Sequence, residues 1–196
     1  MSAQAGIKPA YSAARIAARV ASLGRAISRD YAGRTLDVVI LLENAFLFGA
    51  DLVRRIDCPL ICHFVRPRIR DFEQGGRARR EIFFSRPPSL RGRNVLIVDG
   101  VLHSGVTHDF LVKRLQEDRP RSLRLAVLLD YPAARKVDIQ PDYFGFAGAS
   151  NYLVGYGLSG PRGLHRSLPY LGVPSGSRAS RRAALRAPRA RKGSGK

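Results

Sequence analysis

The fold is decided by the stretch Asn94–Thr107, which reads NVLIVDGVLHSGVT. Within it, Val95–Val98 is an apolar run too continuous for a half-exposed strand and too short for a buried helix, so it predicts a central strand of a parallel sheet. Asp99 closes this strand, small and polar residues follow, and from Val106 the apolar spacing becomes helical. One face of that helix is expected to carry three residues, Phe110, Leu111 and Leu115. The stretch therefore predicts a strand, a loop and a helix, in that order.

The loop that opens this helix has the composition of a phosphate-binding loop. The first turn of a helix presents unpaired N–H groups together with the positive end of the helix dipole. Gly105 lets the backbone approach a ligand closely, and the hydroxyls of Ser104 and Thr107 add donors. The loop is not a Walker loop, since no Gly-Lys-Ser/Thr follows, and it lacks the three-glycine dinucleotide fingerprint. Taken alone, it is also consistent with an ordinary strand-to-helix turn.

Strands and helices alternate through the rest of the chain. One helical face is marked by apolar residues spaced four, three and four apart, which are Ile16, Val20, Leu23 and Ile27. Buried strands are predicted at four further places, which are Asp37–Leu42, Pro59–Val65, Ser122–Leu129 and Asp142–Phe146. A second helix is predicted at Ala45–Ile56. This alternation predicts an α/β fold with an open parallel sheet that binds ligands at the carboxyl ends of its strands.

The length of 196 residues fits one domain, since chains near this size bury roughly 70% of their unfolded surface. We expect the domain to span residues 11–174, with disordered segments at residues 1–10 and 175–196. No apolar run approaches the roughly 18 residues needed to cross a bilayer. The N-terminal region carries charges and lacks the compact apolar core of a secretory signal. A cytoplasmic protein without membrane contact is therefore expected.

The formal net charge of +19 is spread over the tail and the domain. Residues 175–196 contain Lys and Arg but no acidic residue, and the remainder is basic as well. Such an excess favours anionic ligands and predicts non-specific nucleic-acid contact through the basic tail. The abundance of arginine is equally consistent with the codon bias of a GC-rich genome. The interval Arg66–Arg93 is the most charged part of the domain, and it is expected to form a mobile loop or a solvated hairpin.

The stretch Asn94–Thr107 resembles the motif with which type I phosphoribosyltransferases bind phosphoribosyl diphosphate (PRPP). Five downstream segments are similar to the C-terminal half of hypoxanthine-guanine phosphoribosyltransferases: Leu128–Asp130, Arg135–Asp138, Pro141–Phe146, Val154–Leu158 and Leu168–Val173. The resemblance covers about residues 35 to 173. It implies a parallel sheet flanked by helices, with a small hood built from both termini. It also implies transfer of a phosphoribosyl group from PRPP to hypoxanthine or guanine, with Mg²⁺, by a homodimer or homotetramer.

The resemblance assigns roles to particular residues of this sequence. The phosphate cradle corresponds to His103 and the four residues after it, Ser104, Gly105, Val106 and Thr107. Asp99 corresponds to the first of two acids that contact the ribose hydroxyls and magnesium, and His103 stands where an aspartate meets the purine N7. The purine side corresponds to three residues, Tyr131, Tyr152 and Leu153. The diphosphate side also corresponds to three, Glu43, Asn44 and Arg166.

Several of these positions depart from the family pattern. The family has a lysine where this chain has Glu43, a second acid at Gly100, an aspartate at His103, a lysine at Tyr131 and an aspartate at Ser159. His103 still has an imidazole that can donate or accept one proton, so it is the candidate general acid or base. The departures leave an alternative open, which is a catalytically inactive regulatory protein that binds nucleotide or PRPP and contacts nucleic acid. His108, one position beyond the cradle, is expected on the surface.

Overall fold

The computed structural model describes residues 6–74, 77–83, 89–148, 152–160 and 163–175. The strands are β1 (Ile7–Tyr11), β2 (Leu36–Leu41), β3 (Leu60–Val65), β4 (Arg68–Gln74), β5 (Arg77–Phe83), β6 (Asn94–Leu102), β7 (Ser122–Asp130), β8 (Tyr143–Ala147) and β9 (Leu171–Pro174). The helices are α1 (Ala13–Asp30), α2 (Phe46–Val53) and α3 (Val106–Gln116), with a short 3₁₀ turn at Pro132–Ala134. No helix of these ranges is long and apolar enough to cross a membrane.

Five strands form one parallel sheet in the order β3-β2-β6-β7-β8. The predicted central strand is confirmed, because β6 pairs with β2 on one side and β7 on the other. Its side chains alternate between two cores: Leu96 and Val98 pack with α1 and α2, whereas Val95 and Ile97 pack with α3. Coverage on both faces explains why the sequence of this strand is continuously apolar.

Helix α1 follows the predicted pattern. The side chain of Ser12 caps its first turn by accepting a hydrogen bond from the N–H of Arg15, at 3.3 Å. The apolar face that the spacing predicted is buried, and it comprises Ile16, Val20, Leu23 and Ile27. Through this face α1 packs into the larger of the two cores.

The expectation that residues 1–10 are disordered is wrong for the part of this segment that the structure describes. Strand β1 pairs antiparallel with β9, with Ile7 opposite Pro174 and Lys8 opposite Val173. The two termini therefore form the small hood that the resemblance implied. This pairing joins segments at opposite ends of the chain, so nothing in the local composition signals it. Residues 1–5 and 176–196 lie outside the described residues, and disorder there stays a prediction.

Two further expectations near the central strand are corrected. Asp99 does not close β6, because the strand continues to Leu102, whose partner in β7 is Asp130. On α3 the buried face comprises His108, Leu111 and Leu115, whereas Phe110 is 43% exposed. His108 was expected on the surface, but it is only 5% exposed. Leu111 and Leu115 define the face of α3 that packs against the sheet, and His108 lies on the same face.

The arginine-rich interval contains an antiparallel hairpin formed by β4 and β5, with Arg68 opposite Phe83 and Gln74 opposite Arg77. The backbone therefore agrees with the hairpin alternative. A closing movement of this segment stays a prediction.

Candidate active site

A cavity of about 290 Å³ lies at the carboxyl ends of β2 and β6. Residues from both strand ends, from the segment after β3 and from the start of α3 line it: Leu41, Leu42, Asn44, Pro67, Asp99, Val101, His103, Ser104, Gly105, Thr107 and His108. This is the edge of the sheet at which an open α/β fold binds ligands. Most of the residues that the sequence assigned to phosphate and ribose therefore surround one space.

The cradle is a tight loop that leads from β6 into α3. Gly105 precedes the helix with a φ of +80°, and no side chain caps the first turn. A β-carbon on Gly105 would lie 2.6 Å from Cγ2 of Ile139, so both the backbone angle and the space require glycine. Ser104 and Thr107 line the cavity beside it. The uncapped first-turn N–H groups and these hydroxyls are suited to hold a phosphate.

Arg135 holds the backbone of the cradle loop in place through hydrogen bonds. Its guanidinium donates hydrogen bonds to the carbonyl oxygens of Leu102 and His103, both at 2.7 Å, and to that of Ile139 at 3.0 Å. It also forms an ion pair with Asp130, and its side chain is only 10% exposed. Sequence reasoning gave Arg135 no role, because it follows the end of β7 by a loop of four residues and no periodicity marks its contacts.

Asp99 projects into the cavity with both carboxylate oxygens engaged. Oδ1 accepts a hydrogen bond from the N–H of Gly100 at 2.6 Å, and Oδ2 lies 2.8 Å from Nε2 of His108. His108 is the residue that the sequence interpretation missed at this site. The available signal was its position three residues before Leu111 and seven before Leu115, which places it on the buried face of α3.

Gly100 follows Asp99 and has no room for a side chain. A β-carbon there would lie 2.7 Å from the carbonyl oxygen of Asn44 and 2.7 Å from Cδ2 of Leu158. The backbone of the turn after β2 therefore occupies the space that a side chain at position 100 would need.

That turn carries Glu43 and Asn44, and the Leu42–Glu43 peptide bond is cis. One oxygen of Glu43 forms an ion pair with Arg66, and the other lies 3.3 Å from Nη2 of Arg166. Nη1 of Arg166 donates to Oδ1 of Asn44 at 3.1 Å and to the carbonyl oxygen of Gly157 at 2.6 Å. The three residues assigned to the diphosphate side are thus brought together, with the acid balanced by two arginines.

On the purine side, His103 is exposed and its ring lies 5.5 Å from that of Tyr131, tilted by 53°. Burial, together with the nearby phenols of Tyr11 and Tyr152, raises the pKa of Tyr131 to about 12, so its hydroxyl is a donor at neutral pH. Tyr152 is 50% exposed and donates to the carbonyl oxygen of Ser159. Leu153 is buried in the core.

The donor set fits a magnesium ion that arrives with its substrate rather than one caged by the protein. Asp99 is the one carboxylate among the residues that line the cavity. Within the described ranges, no three His, Cys, Asp or Glu side chains are grouped as a metal centre. Mg²⁺ at phosphate-transfer sites keeps several waters and takes one or two carboxylates plus phosphate oxygens.

This fold and cradle define the class of protein. The chain belongs to the phosphoribosyltransferase family, since the family model described as phosphoribosyl transferase domain matches residues 10–158. It is of the hypoxanthine-guanine type. A hypoxanthine-guanine phosphoribosyltransferase of Staphylococcus epidermidis is 35% identical over 153 residues, which cover 77% of this chain and 84% of the relative. A bifunctional TilS/HprT protein of Listeria monocytogenes is 34% identical over 157 residues, or 79% of this chain, but the chain spans only 24% of that longer protein.

Solved structures give the same result. A hypoxanthine phosphoribosyltransferase of Staphylococcus aureus superposes with a TM-score of 0.77 at 30% identity, covering 86% of this chain and 91% of the other. The enzyme of Trypanosoma cruzi in complex with the product IMP superposes with a TM-score of 0.77 at 26% identity, covering 86% and 94%. The predicted fold class is therefore confirmed.

Proposed function

We propose that this protein transfers the phosphoribosyl group of PRPP to a 6-oxopurine, hypoxanthine or guanine, and releases diphosphate. The observation that carries the proposal is the single cavity that unites the cradle, Asp99 and His103. Relatives at about a third identity bear the name of this activity. The site offers separate contacts for the 5-phosphate, for the ribose and its diphosphate, and for the purine.

The 5-phosphate binds at the cradle. Backbone N–H groups of the first turn of α3 point to it, and Ser104 and Thr107 add hydroxyl donors. Val106 occupies the first helical position and contributes its N–H. Arg135 keeps the loop in shape by binding the carbonyl oxygens of Leu102 and His103, so the N–H groups are already oriented when the substrate arrives.

The ribose is held by Asp99, whose carboxylate accepts hydrogen bonds from the vicinal hydroxyls. Asp99 is the residue that would hold a magnesium ion arriving with the diphosphate, and such an ion would supply positive charge to stabilise the departing diphosphate. Arg166 contacts the diphosphate from the other side; its guanidinium is paired with Glu43 and donates a hydrogen bond to Asn44. Arginine suits this role because its planar fork matches phosphate oxygens.

The purine lies between the exposed ring of Tyr152 and the His103–Tyr131 pair. Tyr131 donates a hydrogen bond to the exocyclic oxygen, and the backbone at Leu153 contacts the base edge. During transfer a bond forms between a purine nitrogen and C1 of the ribose, while the bond from C1 to the diphosphate oxygen breaks and its electron pair leaves with diphosphate. His103 accepts the proton that the purine loses.

The regulatory alternative raised by the sequence would keep the same phosphate and base contacts without turnover. The expected dimer or tetramer also remains a prediction, as does contact of the basic tail with nucleic acid. Turnover therefore decides between the two functions.

The test incubates purified protein with PRPP, Mg²⁺ and labelled hypoxanthine, guanine or xanthine, and separates nucleotide from base by chromatography. We expect IMP and GMP to form, with at least about a hundredfold slower turnover in His103→Ala, because general acid–base catalysis contributes roughly 10² to 10⁴. Lys113→Ala on the exposed side of α3 is the matched control and should retain full activity. Nucleotide binding without turnover of any base would favour the regulatory protein.

A further inference from the structure

His108 occupies a position on α3 where packing alone calls for an apolar residue. It shares the buried face with Leu111 and Leu115, and it is 5% exposed. A buried polar side chain is costly unless it is hydrogen-bonded. The bond that His108 makes is to Asp99, with 2.8 Å between Nε2 and Oδ2. The hydrogen bond to Asp99, and not packing in the core, therefore explains why a histidine occupies this buried position.

The hydrogen bond with His108 restricts rotation of the Asp99 side chain. One oxygen is fixed by the N–H of Gly100 and the other by His108, so the carboxylate has a single orientation. Hydrogen bonds to an ionised carboxylate are among the stronger ones in proteins. Each carboxylate oxygen accepts more than one hydrogen bond, so Asp99 keeps lone pairs for a ligand in the cavity that it lines.

Such fixation matters here because Asp99 acts without a neighbouring acid. Gly100 has no space for a side chain against the carbonyl oxygen of Asn44. One carboxylate must then receive both vicinal hydroxyls of a ribose, and that requires a defined orientation.

We propose that His108 is a positioning residue that orients the Asp99 carboxylate toward the two ribose hydroxyls. The identity of the ligand rests on the proposed function, whereas the contact rests on the geometry of α3 and β6. His108 acts on the ribose hydroxyls through Asp99.

The test measures binding of GMP and of 2′,3′-dideoxy-GMP, which lacks both ribose hydroxyls, by isothermal titration calorimetry. Three variants of His108 and one double-mutant cycle separate the effect of the hydrogen bond from that of packing. His108→Leu removes the donor and keeps an apolar volume, while His108→Gln places an amide N–H at about the reach of Nε2. His108→Asn carries the same amide on a shorter side chain. Asp99→Asn is combined with His108→Leu in a double-mutant cycle.

His108→Leu and His108→Asn should weaken GMP binding by about tenfold or more, as is usual for groups that orient a binding residue. Neither His108→Leu nor His108→Asn should change the affinity for the dideoxy analogue. His108→Gln should bind GMP with an affinity near that of the wild type. In the Asp99→Asn background the effect of His108→Leu should disappear. Equal losses for both ligands, or full additivity in the cycle, would overturn the proposal by showing a structural role only.

Failure of this proposal is distinguishable from failure of the proposed function. Wild-type protein that binds GMP but forms none from PRPP and guanine would contradict the transferase activity and leave the binding test intact. Unchanged discrimination between the two nucleotides in His108→Leu, with normal turnover, would overturn the positioning role alone.

Discussion

The backbone of Gly100 lies against the carbonyl oxygen of Asn44, so close that a β-carbon on Gly100 would be 2.7 Å from that oxygen. Two departures from the family pattern, the missing second acid and the altered turn at Glu43 and Asn44, therefore meet in space. An acid at position 100 would therefore clash with the backbone of this turn.

Restoring the second acid is the first test of this relationship. Gly100→Asp should destabilise the protein by about 1–3 kcal/mol, which is typical of overpacking, and should not raise turnover. Gly100→Ala adds the same clashing β-carbon without a charge and serves as the control, so it should lose comparable stability. Urea denaturation and nucleotide formation measure the two effects. Faster turnover in Gly100→Asp would contradict the steric account.

Removing the charge of Glu43 should release the arginines that it binds. Glu43→Gln leaves Arg66 and Arg166 without their acidic partner, so inorganic diphosphate should bind severalfold more tightly. The free energy of unfolding should change by less than about 1 kcal/mol, because exposed ion pairs contribute little. Glu117→Gln disrupts another exposed pair, with Arg114, and should leave diphosphate binding unchanged. Weaker diphosphate binding in Glu43→Gln would instead indicate that Glu43 assists the ligand.

The cradle should not tolerate a side chain at Gly105. Gly105→Ala meets both a φ of +80° and the methyl group of Ile139, so we expect a loss of about 1–3 kcal/mol and weaker GMP binding. Gly92→Ala is the matched control, since Gly92 has a φ of +69° but open space around it. Gly92→Ala should lose stability through backbone strain but should bind GMP as tightly as the wild type does. Equal GMP affinity in Gly105→Ala and wild type would count against the phosphate assignment.

Breaking the buried ion pair of Arg135 and Asp130 should destabilise the protein strongly. Asp130→Asn leaves the guanidinium without its acidic partner, and breaking such a pair typically costs about 3–5 kcal/mol. Asp109→Asn removes the exposed pair with Lys113 and should cost less than about 1 kcal/mol. Chemical denaturation of both variants gives the comparison. Similar small losses in both would show that Arg135 is held by its backbone contacts alone.

Tyr131 should make stability depend on pH in the alkaline range. Burial raises its pKa to about 12 from the ordinary value of 10.0, so the folded state binds the phenolic proton more tightly than the unfolded state. Its contribution is complete below pH 10 and is lost as the pH rises through 12. Tyr131→Phe should therefore lose less stability than wild type between pH 9 and pH 11.5 in urea denaturation. Parallel loss in both proteins would place the alkaline sensitivity elsewhere.

The parts of the fold that local pattern controls could be predicted from the sequence. The continuous apolar run of Val95–Val98 predicted the central strand, and the spacing of Ile16, Val20, Leu23 and Ile27 predicted the buried face of α1. The cradle was visible because its glycine and hydroxyls are consecutive. These features lie within one element or one loop, where periodicity and turn chemistry decide the structure.

Contacts between distant segments could not be predicted in this way. Strand β1 exists because β9 pairs with it, and Arg135 is buried because four backbone carbonyls converge on it. The contact of His108 with Asp99 could not be predicted for a related reason, since the two residues lie on different elements. The site therefore consists of a loop that the sequence reveals and supporting contacts that only the fold brings together.

The most direct test of the central claim is to measure diphosphate release and nucleotide formation in the same reaction with PRPP, Mg²⁺ and hypoxanthine or guanine. The transferase account predicts equimolar diphosphate and nucleotide, with no diphosphate released when the base is omitted. Diphosphate release that does not require a base, or no release with either base, would contradict it.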